Sequence, residues 1–130
     1  MLFGNPELII QTITERWVRC MTEKIGQNPK KVLIVEDSQN WRDILPRFFE
    51  KKGVEVVVVD SAEAAKMALE KGGFSEIVTD GLEGDWKTVV DNAGGLPVKL
   101  LSGDIRHKPA AEKQGIRFLD KSDFNPEDLV

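Results

Sequence analysis

The run Glu76-Ile77-Val78-Thr79-Asp80-Gly81 delivers one carboxylate to the point where a strand has to stop. Ile77, Val78 and Thr79 are β-branched and favour extended backbone, and Gly81 breaks the run behind them. Asp80 is therefore predicted at a carboxyl end beside a loop, where it is a candidate acceptor of a phosphoryl group. The rival reading makes Asp80-Gly81 a hairpin turn, with Thr88-Val89-Val90 as the return strand. Four more groups follow apolar runs in the same way: Glu36 and Asp37 after Val32-Leu33-Ile34-Val35, Ser102 after Leu100-Leu101, and Lys121 after Phe118-Leu119-Asp120. An open α/β sheet builds its site at such strand ends. Three clustered carboxylates repel one another by several kcal/mol at an effective dielectric of about 20, so the site needs positive charge. Hard oxygen ligands favour Mg²⁺, and Lys121 offers a second, point-like cation. No Gly-rich loop follows the first strand, which disfavours dinucleotide or nucleoside triphosphate binding.

The elements that must hold these groups alternate along the chain. Continuous apolar runs over 31–35 and 54–59 read as strands buried on both faces. Between them, Ile44, Leu45, Phe48 and Phe49 fall at helical spacing over 41–52, with Asp37 or Ser38 to start the helix and Gly53 to stop it. A second helix is predicted over 61–71, capped by Ser61, given apolar content by residues such as Ala65, Met67 and Leu69, and ended by Gly72-Gly73. Further pieces are a short helix over 85–92, a strand over 98–101, a helix-like segment over 109–114 and a strand over 116–119. Five short strands separated by helices imply a doubly wound parallel sheet covered on both faces, and that regularity argues against the hairpin. Ahead of it, Asn5, Pro6 and Gly26 frame an amphipathic helix over 6–25 with Ile9, Ile13, Trp17 and Met21 on one face. The chain thus divides into an amino-terminal helix and connector over 1–28 and one α/β domain over 29–130.

Composition narrows the function classes. The 130 residues are 41% hydrophobic with a net charge of −4, which suits one packed domain and leaves no basic stripe to displace counterions from nucleic acid. The single cysteine, Cys20, excludes an internal disulfide and a Cys-based zinc site and fits a reducing compartment. No apolar run is long enough for a membrane span, and residues 1–10 lack the features of a signal peptide, so a cytoplasmic location without membrane association is expected. His107, the sole histidine, has no second ligand nearby in sequence and reads as a surface residue.

Val35-Glu36-Asp37, Ile77-Val78-Thr79-Asp80, Leu100-Leu101-Ser102-Gly103 and Phe118-Leu119-Asp120-Lys121 occur in that order at four strand ends. This constellation resembles the receiver domain of two-component response regulators, over Lys30 to about Asp128. The resemblance implies a flavodoxin-like, CheY-like five-stranded sheet in the order 2-1-3-4-5, here with an amino-terminal helical extension. It implies that Asp80 accepts a phosphoryl group from a histidine kinase or phosphotransfer protein, and that the chain's only chemistry is this self-directed transfer and its hydrolysis. Asp37 and Asp80 would hold Mg²⁺ together with the backbone carbonyl of Leu82, and Glu36 would act mostly through bound water. Ser102 would turn its hydroxyl to a phosphoryl oxygen, Lys121 would pair with another, Gly103 would leave room for the group, and Phe118 would be the aromatic switch.

The sequence also departs from that family. The stretch between Asp80 and Ser102 is about two helical turns short, the loop after Asp80 lacks its usual proline, and Ser122 stands where a proline follows the lysine. Pro126 interrupts the few residues after Lys121, so a full final helix does not fit, and the 6–25 helix is expected to cover the vacated flank or to pair two copies. These departures keep a second function class open, a degenerate receiver that binds protein partners without phosphorylation. A phosphohydrolase with an aspartate nucleophile would want a second acid where Gln39 stands. Asp37 as a helix cap, Ser102-Gly103-Asp104 as a plain turn and Lys121 as a solvated lysine are the corresponding structural readings.

Overall fold

The computed structural model describes residues 30–130. The expected helix over 6–25, with its covering or pairing role, lies outside the described residues. Five strands, β1 (Lys31–Val35), β2 (Glu55–Val59), β3 (Glu76–Thr79), β4 (Val98–Ser102) and β5 (Arg117–Asp120), form one sheet in the order β2-β1-β3-β4-β5. All four pairings are parallel, and β3 lies between β1 and β4, so Asp80-Gly81 is no hairpin. The connections run through α1 (Gln39–Glu50), α2 (Ala62–Lys71), α3 (Trp86–Asp91) and α4 (Lys108–Lys113), with α5 (Pro126–Leu129) after the last strand. Single 3₁₀ turns precede α3 at Leu82–Gly84 and α4 at Ile105–His107.

Strand periodicity explains why the central strands are apolar throughout. Val32, Ile34, Val78 and Leu101 point to one face, where Leu45 and Phe49 of α1 and Leu129 of α5 cover them. Leu33, Val35 and Ile77 point to the other, beneath Ala65 of α2 and Val89 of α3. Each such fully buried side chain stabilises the fold by about 1.5–3 kcal/mol in area terms. Further along that second face Trp86, Leu100, Ala111 and Ile116 form a third cluster under α3 and α4.

Three expectations change at the margins. Val54 to Val59 read as a strand buried on both faces, but β2 is the edge of the sheet, and Val56 to Val59 are only half-buried. Ile44 and Met67, placed among the apolar residues of their helices, are 42% and 61% exposed, and α1 turns Leu45 and Phe49 inward instead. The residues after β5 themselves cover part of the flank expected to need the amino-terminal helix. Phe124 packs on Trp41 and Phe48 at centroid distances of 6.2 and 6.0 Å, and Leu129 is wholly buried. Asn125 caps α5, its side chain accepting the Glu127 N–H, and Pro126 takes the first turn, where no backbone donor is needed. Ser61 caps α2 as expected, accepting the Ala64 N–H at 3.1 Å.

Candidate functional site

Backbone ladders, continued one residue past each strand end, bring the chemistry together. The Glu36 N–H donates to the Val59 carbonyl, the Asp80 N–H to Val35 and the Lys121 N–H to Ser102, at 3.0, 2.7 and 3.0 Å. Three loops from three different strands therefore start in register. Arg42 of α1 holds the first of them, donating from Nη1 to the Glu36 carbonyl at 3.0 Å.

Lys121 is the centre of the charge arrangement. Its Nζ lies 2.7 Å from Asp80 Oδ1 and 2.8 Å from Glu36 Oε1, and 5.0 Å above the Trp41 ring. It is 14% exposed, so it is no solvated surface lysine. Burial works to lower its pKa, but the close contacts with the Asp80 and Glu36 carboxylates outweigh it and hold the ammonium above its ordinary value. Asp80 Oδ2 accepts the Leu82 N–H at 3.0 Å. Glu36 is 1% exposed. Its Oε2 accepts the Ser38 N–H at 3.1 Å, while Oε1 meets Lys121 as an ion pair without a well-directed hydrogen bond. Burial pushes the Glu36 carboxyl above its usual value, Lys121 opposes this and the Asp80 charge adds to it. Asp37 is exposed at the mouth, and the Ser38 backbone, not Asp37, takes the cap position of α1. Carboxylate oxygens of Glu36, Asp37 and Asp80 all lie within 4.8 Å of one another.

The raised Glu36 pKa gives a first prediction. A carboxyl whose folded pKa exceeds its unfolded value, 4.5, is a stability cost that grows as pH rises from 4.5 through the folded pKa and is then constant. Glu36→Gln should therefore raise the melting temperature of metal-free protein at pH 7.5, and the gain should shrink as pH falls toward 4.5. Paired melts at the two pH values check this, and a variant less stable than wild type at pH 7.5 would contradict it.

The loop after Asp80 reverses in an unusual way. Leu82, Glu83 and Gly84 all have positive φ, at 49°, 53° and 106°, which costs roughly 1–2 kcal/mol for each of the two that are not glycine. The reversal returns Gly84 N–H and Trp86 N–H to the Gly81 carbonyl, at 2.8 and 3.3 Å, and so starts α3 without the two missing turns. The Leu82 carbonyl accepts the Asp85 N–H at 3.0 Å, which leaves one of its two lone pairs for another partner. No cis peptide bond occurs among the described residues.

Ser102 is 2% exposed, and its hydroxyl accepts the Asp104 N–H at 3.0 Å. Against expectation, His107 is not a surface residue. Its side chain is 19% exposed, and Nδ1 lies 3.3 Å from Ser102 Oγ. The 3₁₀ turn Ile105–His107, capped by the Asp104 side chain, folds the imidazole back over Ser102 and Gly81. A Cβ on Gly81 would stand 2.7 Å from the His107 ring and 2.9 Å from Ser102 Oγ, whereas one on Gly103 would meet nothing within 4 Å. The missing side chain of Gly81 is therefore what admits the His107 ring beside Ser102. Phe118, half-buried in β5, packs with the cluster around Trp86 and Leu100. Gln39 spends its amide on Asp43 and Arg42, and no second acid stands there.

No protein-family model and no curated protein matches the chain by sequence. Solved structures do match. A putative response regulator from Chloroflexus aurantiacus is 28% identical with a TM-score of 0.68, the match covering 78% of this chain and 91% of that one. The chemotaxis protein CheY4 of Vibrio cholerae is 25% identical with a TM-score of 0.62, over 78% and 92%. A response regulator receiver protein from Pseudomonas putida is 22% identical with a TM-score of 0.65, again over 78% and 92%. Residues 30–130 thus have the CheY-like receiver fold, and the chain resembles the receiver domains of response regulators. Its acidic cluster is compatible with the Mg²⁺ site of such a domain. Among the described residues no helix is long and apolar enough to cross a membrane.

Proposed function

We propose that the chain is a phosphorylation-controlled receiver in which Asp80 accepts a phosphoryl group from a histidine kinase or phosphotransfer protein in the cytoplasm. The observation that carries this reading is Lys121 Nζ set between Asp80 Oδ1 and Glu36 Oε1 at the carboxyl ends of the strands. A carboxylate oxygen of Asp80 attacks the donor's phosphorus, the bond to the leaving group breaks, and an acyl phosphate forms. Little covalent assistance is needed; positioning and charge neutralisation carry the step. Lys121 is close enough to follow the charge from the carboxylate onto the phosphoryl oxygens, and the Leu82 N–H fixes the second carboxylate oxygen. Three converging carboxylates fit a hard divalent cation. Mg²⁺ bound by Asp37, Asp80 and the Leu82 carbonyl, with Glu36 behind through water, would supply further positive charge at the phosphoryl group. Ser102 then donates its hydroxyl to a phosphoryl oxygen, and the β4–α4 loop with Phe118 beside it carries the change to a binding partner.

The test is intact mass after incubation with Mg²⁺ and acetyl phosphate. One phosphoryl adduct is expected on the wild type and none on Asp80→Ala. An adduct that survives in the variant would remove Asp80 from its role. The left-handed turn at Leu82 and Glu83, with the Leu82 carbonyl engaged by Asp85, favours the second reading, a receiver that binds partners without phosphorylation. A wild type that forms no adduct from acetyl phosphate or from phosphorylated kinase decides for it.

A further inference from the structure

Ser102 carries one hydroxyl proton, and in this structure two neighbours already claim the oxygen. The Asp104 N–H donates to Oγ at 3.0 Å, so the remaining contact, to His107 Nδ1 at 3.3 Å, takes the proton if Nδ1 is the unprotonated ring nitrogen. The opposite nitrogen, Nε2, faces Asp104 Oδ2 at 3.8 Å. Arg106 grips that carboxylate through two hydrogen bonds and pulls its pKa down to about 2, so it stays ionised. A fixed negative charge beside Nε2 favours the tautomer that carries the proton there, and in that neutral tautomer Nδ1 is an acceptor. We infer that His107 is a latch, a positioning residue that holds the Ser102 hydroxyl away from Asp80 until a phosphoryl group competes for it.

The latch is local to this chain's loops. The imidazole reaches Ser102 only because Gly81 has no side chain, since a Cβ there would lie 2.7 Å from both Cε1 and Nδ1. Trp86 lies beside the ring, tilted, at a centroid distance of 6.2 Å. When the hydroxyl turns to a phosphoryl oxygen, Nδ1 loses its donor and nothing then ties the ring to Ser102. Movement of the 3₁₀ turn Ile105–His107 follows, which couples occupancy of Asp80 to the surface at Arg106 and Ile105. The inference deepens the receiver reading and rests on it for its consequence, though not for the resting hydrogen bond.

Two measurements on untagged full-length protein test it. His107 is the sole histidine, so the imidazole nitrogens give a single set of NMR signals. Metal-free wild type at pH 8 is expected to show the neutral Nε2–H tautomer with Nδ1 hydrogen-bonded, and Ser102→Ala should lose that bond. An Nδ1–H tautomer, or a Ser102→Ala spectrum unchanged at Nδ1, would overturn the latch whatever the protein's function. Second, beryllofluoride with Mg²⁺, a phosphoryl mimic, is titrated against tryptophan fluorescence. His107→Phe keeps a ring without an acceptor and should bind about two- to tenfold more tightly, the worth of one hydrogen bond. His107→Asn keeps an acceptor near the Nδ1 position and should restore wild-type affinity. Equal affinity in all three proteins, or equal tightening in both variants, overturns the latch alone. A wild type that binds no beryllofluoride overturns the receiver reading and the switching role with it.

Discussion

Lys121→Met should lower the stability of metal-free protein by about 3 kcal/mol at pH 7.5 and slow phosphoryl acceptance by about a hundredfold or more. The first figure follows from what the variant leaves behind. Glu36 is 1% exposed, and removing its cation strands one buried carboxylate beside a second, Asp80. Breaking a buried pair costs about 3–5 kcal/mol, and the low end applies because the site opens to solvent past Asp37. The sign of the pH dependence is fixed by Glu36. Losing Lys121 removes an interaction that lowers its pKa while burial and Asp80, which raise it, remain. The folded carboxyl then holds its proton further above 4.5 than before, so the deficit grows as pH rises through that window and fades below it. Lys121 itself, with a raised folded pKa, contributes stability that is fully present below 10.5 and is lost as pH rises through the folded value. Denaturation with chelator at pH 7.5 and at 4.5 measures the difference, and added Mg²⁺ should recover part of it at pH 7.5. A variant as stable as wild type at pH 7.5 would mean that the ion pair is not the site's organising contact.

The same contact shows why much of the site is legible in the sequence. A strand buried on both faces must end where polarity begins, so the residues after Val35 and Thr79 land at the rim of the sheet, and the parallel register of β5 brings the residue after Asp120 to the same rim. β1 and β3 are central, and their continuous apolar runs reveal them. β2 has the same composition, yet it lies at an edge, and nothing in Val56-Val57-Val58-Val59 distinguishes the two settings. His107 escapes for a different reason. Its contact with Ser102 spans five residues through a 3₁₀ turn whose direction depends on the Asp104 cap, and neither helical nor strand periodicity describes it. A signal was present in Asp104, a capping residue two positions before Arg106, together with Gly81, a residue without a side chain next to the acceptor. Only the fold shows that the turn capped by Asp104 brings the His107 ring against Gly81. The turn at Leu82 and Glu83 is equally hidden, because two non-glycine residues with positive φ contradict local preference and persist through the short path from Asp80 to α3.

Trp86→Ala is expected to destabilise the protein by about 3–5 kcal/mol, a large share of the roughly 5–15 kcal/mol that holds a domain of this size. The indole is fully buried between Leu100, Ala111 and Ile116, and α3 is too short to re-pack around the hole its loss would leave. Its Nε1 is buried without a hydrogen-bond partner, however, so Trp86 is not ideal for its own site. Trp86→Phe removes that unpartnered donor, worth about 1–3 kcal/mol of desolvation, while opening a smaller cavity. The two effects oppose, and Trp86→Phe should fall within about 1 kcal/mol of wild type. The pair also separates packing from function. The Trp86 backbone N–H meets the Gly81 carbonyl and the ring lies beside His107, so a collapse of this cluster displaces the loop that carries Asp80's neighbour. Trp86→Phe should therefore form the phosphoryl adduct at nearly the wild-type rate, and Trp86→Ala should form it slowly even at temperatures where it remains folded. Urea denaturation followed by circular dichroism, alongside adduct formation by intact mass, reads both. A Trp86→Ala protein less than 1 kcal/mol weaker than wild type would show that α3 and α4 do not depend on this cluster, a threshold below the usual cost of emptying a buried aromatic site of about 3 kcal/mol.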